Sequence, residues 1–574
     1  MHGGVVGNRV HASDDGIQFG NPRRAVPSAL SQGWPGDRTA RDAVLRLAAD
    51  YDAEVRHDAA DALAEGWPGD LQARDAVLHL VDDAEPNVRY RAVHALEKGW
   101  RGDLAVRDVV LRLTADQSAD VRRYTASALG YGWPGDLHVR DAALRLVADH
   151  DADVRHYAAD ALAQGWPGDL EVRETVLRLA DDVNDDVRRY AADPLRRGWP
   201  GDPAVQDALL RLATDHAAHV RESAASALAE GWPGDLAVQE AFLRLAIDQN
   251  AEVRRSAIRG LAQGWPGEFA ARDELMRLAQ DQESAVRRSV ADGLAQGWPG
   301  DADVYATVVR LAGDQSVDVR ETAVDGLAQG WPGDPIARDW AVRLAADQSA
   351  EVRRSAASAL AQGWPGEVVA RDGAIRLADD RESAVRRSVA ERLGHGWSGD
   401  AMARDAVVRL AADQSADVRY AATDGLAQGW RGDLPARDAV ISQATDQSAD
   451  VRRSAASALA KGWPGELAAR DTVVRLADDQ EPKVRRSAAS ALAMGWPGDA
   501  VARDAVVRLA ADQSAEVRRS APPGWPRAGR RTSQHGTSFE DWPATPVPQS
   551  GQTQPKVYRR AGQAILPPGM RSCA

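Results

Sequence analysis

Apolar positions along this chain recur in a unit of 33 residues. Trp34, Trp67, Trp100, Trp133 and Trp166 are each 33 apart, and the series runs without a slip to Trp496, placing fifteen tryptophans in one register. The unit reads GWPGD-LxARDAVLRLAAD-QSADVRRSAASALAQ. In the copy that begins at Trp133, Val139, Ala143 and Leu146 recur at i, i+4 and i+7, one face of a first helix. Asp136 is placed to cap it. The segment from Asp149 to Asp153 breaks the pattern and supplies new capping side chains. Val154, Ala158 and Leu162 then mark a second helix at i, i+4 and i+8. Gly165 fits the left-handed residue that ends this helix, and Pro167 blocks its continuation. No segment alternates with period two. A helix pair of this size cannot bury its apolar faces alone, so neighbouring copies must cover one another. The pattern predicts an all-α fold, a right-handed α-solenoid of about fifteen 33-residue helix-turn-helix repeats over residues 22–521, with a partial first repeat at 22–34. The tryptophan, constant in every copy, reads as a packing wedge in the turn between units rather than as a ligand-binding ladder.

The second helix also carries an Asp followed by a Val-Arg pair, as in Asp116 with Val121 and Arg122, and Asp512 with Val517 and Arg518. This resembles the HEAT-repeat signature, particularly the short HEAT-like repeats named after phycobilisome lyases. The resemblance implies an Asp–Arg ladder between neighbouring repeats, in which Asp116, Arg122, Arg155 and Arg188 are structural, as Trp133 and Trp166 are in their turns. The GW turn further resembles the repeat array at the C-terminus of bacterial NACHT-type, NLR-like sensors. The chain departs from those proteins in having no GxxxxGK[ST] loop. The function this implies is a non-catalytic protein-interaction or ligand-sensing scaffold, the repeat portion of such a sensor.

Specificity is expected where the copies differ. Two residues after the valine of the second helix stand His57, Tyr90, Arg123, His156, Arg189 and Glu222, and mostly Arg in later copies. Helical spacing predicts that this position lies opposite the core face. Tyr124, Tyr157 and Tyr190 occupy the next place in three successive units. Tyrosine offers a large contact area at low entropy cost. His57, Tyr90, Tyr124, His156, Tyr157 and Tyr190 are therefore the candidate protein-binding residues. The alternative is a solvated helix flank.

Composition narrows the chemistry. A net charge of −14 over 574 residues argues against general nucleic-acid binding. One cysteine, Cys573, makes neither an internal disulfide nor a thiolate metal cage. No apolar run is long enough for a membrane span or a signal peptide, so the expected compartment is the cytoplasm. No catalytic residue, cofactor site or metal site is expected. His216 and His219 have i, i+3 spacing but read as a chance pair. An enzymatic alternative exists within the resemblance, either a phycobilin lyase or a deoxyhypusine hydroxylase-like oxidoreductase. The second needs His-Glu dipeptides for its two irons, and the chain has none.

Both ends break the register. After Ala521 it predicts Ala-Ser-Gly-Leu-Ala-Gln-Gly-Trp. Written GCC TCC GGG CTG GCC CAG GGC TGG and shortened by its first base, that peptide becomes Pro522-Pro523-Gly524-Trp525-Pro526-Arg527-Ala528-Gly529, which is the sequence present. Residues 522–574 therefore read as a disordered tail translated out of frame. Residues 1–21 fit no part of the unit and are expected to be disordered. Neither end shows a polar capping repeat, so the chain reads as a fragment of a longer array whose open ends self-associate. A decayed gene fragment without function is a further alternative.

Overall fold

The computed structural model describes residues 25–514 and 516–517. The expectations for residues 1–21 and 522–574 lie outside the described residues. Among the described residues there are thirty α-helices and two one-turn 3-10 helices, with no strand. The first helix, α1 (Ala25–Gly33), is the second helix of a partial repeat. After it the pattern is regular. In the copy that begins at Trp133, α8 (Leu137–Leu146) is followed by α9 (Ala152–Gly165). Only α10 (Leu170–Arg178) and α22 (Val368–Arg376) are a residue shorter, each closing in a 3-10 turn. Each second helix packs along its whole length on the second helices before and after it, whereas consecutive first helices touch only lightly. The chain is thus an all-α solenoid of about fifteen paired-helix repeats. No helix among the described residues is long and apolar enough to cross a membrane.

Val154, Ala158 and Leu162 are fully buried, as are Val139 and Ala143 opposite them. Small side chains let the second helices approach closely, and here the structure corrects the sequence reading. Gly165 is not the left-handed residue. It is the last residue of α9, and Gly168, three positions on, has φ 81°. Gly165 faces the neighbouring second helix: a Cβ there would lie 3.4 Å from the Gly130 carbonyl oxygen on α7 (Ala119–Gly132), in ordinary contact. At the equivalent Gly396 it would come within 3.0 Å of the Ala361 backbone.

Three kinds of bond join successive turns. Arg122 grips Asp149 of the next repeat with two parallel hydrogen bonds, from Nε at 2.7 Å and Nη2 at 2.8 Å, while its Nη1 donates to the Asp116 carbonyl of its own turn at 2.9 Å. Arg155 holds Asp182 and Arg188 holds Asp215 in the same way. Asp116 in turn accepts from Arg89 of the preceding repeat. Burial alone would raise the Asp149 pKa, but the bonds from Arg122 and the Asp151 amide outweigh it and hold the carboxyl below its usual range.

A second ladder, which the sequence reading did not anticipate, runs through the caps of the first helices. Asp103 caps α6 (Leu104–Leu113) by accepting from the Ala105 and Val106 amides. The same carboxylate accepts from Arg74 of the preceding repeat at 2.8 Å. Its backbone carbonyl accepts from the Trp133 Nε1 of the following turn at 3.2 Å. One aspartate thus ties three turns together. The indole bond recurs at Trp67, Trp100, Trp199, Trp364, Trp397, Trp430, Trp463 and Trp496. The rings are almost completely buried, except for Trp34, which is 58% exposed. Trp166, Trp265, Trp298 and Trp331 fill the same place with no protein partner for Nε1. The third bond is between backbones, as from the Gly168 amide to the Gly198 carbonyl at 3.1 Å.

Candidate protein-binding face

The variable positions lie on α3 (Ala53–Gly66), α5 (Pro86–Gly99), α7, α9 and α11 (Asp185–Gly198). These helices pack side by side in chain order. The residue two after the valine is not free on the far side of its helix, as the helical wheel suggests. It is half-buried, turned toward the next second helix, where it meets the residue three after that helix's valine.

This offset builds a ribbon. Tyr90 stacks on Tyr124, with ring centroids 4.6 Å apart and planes 13° from parallel. His57 meets Tyr90 edge-on at 6.3 Å. His156 packs on Tyr190 at 4.1 Å and edge-on against Tyr157 at 4.8 Å. Arg123 bridges the two groups, its guanidinium carbon 5.0 Å from the Tyr124 centroid and 5.8 Å from that of Tyr157. Arg189 covers Tyr190 at 5.0 Å. All six candidate residues are therefore brought together into one strip of rings and guanidinium groups across five helices. Arg123 and Arg189, which complete it, were not among the candidates. The signal for them was a basic residue in the variable place beside a tyrosine, the pairing a cation–π contact needs.

Burial differs along the strip. Tyr157 and Tyr190 are 37% and 39% exposed, and the other rings are half-buried. His57 accepts from Arg91 at Nε2, 3.0 Å, so its proton sits on Nδ1, which faces Asp58 at 2.9 Å. Burial depresses the His156 pKa, against the opposing pull of Asp160 and Asp153. Beyond Tyr190 the strip opens into a groove of about 270 Å³ lined by Arg189, Asp193, Glu222 and Ser223.

Farther along the same face the rings give way to arginine, serine and carboxylates. Two grooves of about 520 and 620 Å³ share Asp325 and Gln329. Burial, reinforced by Glu321 and opposed by Arg354 and Arg392, pushes the Asp325 carboxyl up to about 6. Among the described residues no three His, Cys, Asp or Glu side chains converge in a metal-binding arrangement. His216 and His219 face different carboxylates, Asp215 at 3.3 Å and Asp185 at 3.6 Å.

The family profile described as HEAT repeats matches residues 41–130, 106–196, 139–229, 172–262, 238–328, 273–361, 372–460 and 437–521. No curated protein matches the chain. Among solved structures, importin beta is similar at 15% identity and a TM-score of 0.52, over 81% of this chain and 72% of that one. Kap121p is similar at 14% identity and a TM-score of 0.49, over 77% of this chain, which spans 56% of the length of Kap121p. YibA of E. coli is similar at 20% identity and a TM-score of 0.35, over 44% of this chain and 91% of that one. At 15% identity the likeness to importin beta is one of fold.

Proposed function

The chain belongs to the family of HEAT repeats, and we propose that it is a non-catalytic protein-interaction scaffold whose second-helix face receives the partner. The observation that carries this reading is the ribbon from His57 to Arg189. Interfaces draw most of their energy from a few Tyr, Trp and Arg side chains, and the ribbon concentrates two of those types. Its rings are already held by stacking, so little rotamer entropy is lost when a partner docks. In its finer form, resting on the GW-turn resemblance, the scaffold is the ligand-sensing portion of a larger NLR-like signalling protein.

A photo-crosslinking side chain placed at Tyr157 in the full chain tests the reading. It is expected to capture a discrete protein set that a probe at the exposed Met494 does not. The set should vanish when Tyr124→Ala and Tyr190→Ala are added. Equal capture at both positions, or capture that survives the alanines, counts against the ribbon as the docking site.

A further inference from the structure

About half of the exposed large apolar side chains among the described residues fall on one row, away from the ribbon. The row sits where each first helix begins. Leu71, Leu104, Leu137 and Leu170 are the first residues of α4 (Leu71–Leu80), α6, α8 and α10, and each is 61–63% exposed. Leu236 and Phe269 follow in register, at 78% and 69%. Where the first position is Pro335 or Ala401, the next residue supplies the apolar group instead, as Ile336 and Met402, again 58–59% exposed. Val368, Leu434 and Leu467 continue the row.

The row is interrupted at only two repeats between Leu71 and Leu467, at Pro203-Ala204 and Ala302-Asp303. An anchor in almost every repeat sets a requirement on whatever covers it. A partner that engages the row along its length must present apolar groups at the same spacing. A second copy of this chain does so by construction. The interruptions then select a register. With two copies antiparallel and the dyad between Leu236 and Phe269, the repeat of Pro203 lies opposite that of Ala302, and Leu137 lies opposite Val368. Every apolar repeat from Leu71 to Leu434 then faces an apolar repeat, ten on each copy.

We infer that this row is a self-association edge, through which two copies pair antiparallel as a closed dimer. Each copy places ten such partly exposed side chains on the shared row. The exposed turn prolines beside them, such as Pro134 and Pro167, add area toward the roughly 800 Å² a stable interface needs. A membrane surface is a poorer occupant. One helical turn along from the row stand Asp75, Asp108 and Asp141, each more than half exposed, and they oppose anionic headgroups. For a second copy they are less of an obstacle, because Arg74, Arg107 and Arg140 already pair with them. This edge is independent of the ribbon, so either can fail without the other.

Sedimentation velocity of the full chain from about 1 to 100 μM tests the inference. A dimer that does not grow further is expected, because an isologous contact closes. Leu137→Glu, Leu170→Glu and Leu236→Glu together should weaken it at least about 100-fold, with helicity and urea midpoint retained because the residues are exposed. In a Cys573→Ser background, Leu137→Cys mixed with Val368→Cys should form a disulfide between copies, and Leu137→Cys alone should not. A chain that stays monomeric at every concentration overturns the proposal. So does a dimer indifferent to the glutamates, or a series of ever larger species, which marks association through the solenoid ends. Binding to anionic vesicles by a monomer that does not pair overturns it in favour of a lipid surface.

Discussion

The turn edge and the outward strip of the second helices belong to the same repeats but behave differently. At the edge, the arginine-to-next-aspartate grip recurs from copy to copy, and most copies add an indole bond to the previous carbonyl or a glycine-to-glycine backbone bond. On the strip, five copies build a ribbon of rings and guanidiniums, while later copies place arginine and serine around polar grooves. The edge carries many small increments of stability, summed along a one-dimensional array. The strip is half-exposed, so its residues can differ without breaking the stack. The comparison separates what holds the solenoid together from what it can offer a partner.

The largest effect that would break this contrast is acid. The ladder carboxylates, among them Asp116, Asp149 and Asp215, are held below the ordinary range in the folded chain. Their contribution is complete above the unfolded value of about 3.9 and is lost as pH falls through the lowered folded values. Circular dichroism should show the array unfolding below about pH 4, and an array still folded at pH 2 would mean that the ladder holds little. Next in size, Arg122→Ala leaves the Asp149 carboxylate, 9% exposed, without its guanidinium. It should cost about 3–5 kcal/mol in urea unfolding and split the transition into two. Smaller again is the pair Gly396→Ala and Gly132→Ala. The first pushes a methyl into the Ala361 backbone and should destabilise by about 1–3 kcal/mol. The second meets nothing within 4 Å in a helix and should stabilise by up to about 1 kcal/mol.

Two finer tests follow. Trp463→Phe removes a bond to the Asp433 carbonyl, whereas the Nε1 of Trp298 has no protein partner. The first variant should lose about 1 kcal/mol more than Trp298→Phe, measured by urea midpoints. Smallest of all, Tyr124→Ala should change stability by less than about 1 kcal/mol, yet cost roughly 2 kcal/mol in partner affinity by calorimetry if the ribbon is a hot spot. A Tyr124 variant as damaged in stability as Arg122→Ala would erase the distinction between edge and strip.

Some of this was legible in the chain and some was not. The all-α solenoid follows from the 33-residue period, because two helical stripes that short can be buried only against a neighbouring copy. The cap at Asp136 was legible for a similarly local reason: its carboxylate accepts from the His138 and Val139 amides just beyond it in the chain. The second ladder was not legible, because Arg74 sits where any solvated helix residue could, and its partner Asp103 is already accounted for as a cap. The left-handed role was placed on Gly165 and belongs to Gly168, because a glycine packed inside a helix end and one reserved for positive φ look alike in sequence.

By itself, then, the sequence determined the repeat, its two helices and the side chains that vary from copy to copy, since these depend on spacing within one unit. Only the tertiary structure decided which side chains meet across repeats. Tyr90 reaches Tyr124, Arg123 reaches Tyr157 and Trp133 reaches the Asp103 carbonyl. Those contacts depend on the offset with which one helix packs on the next, and that offset is set by the small residues between them, not by the residues that touch.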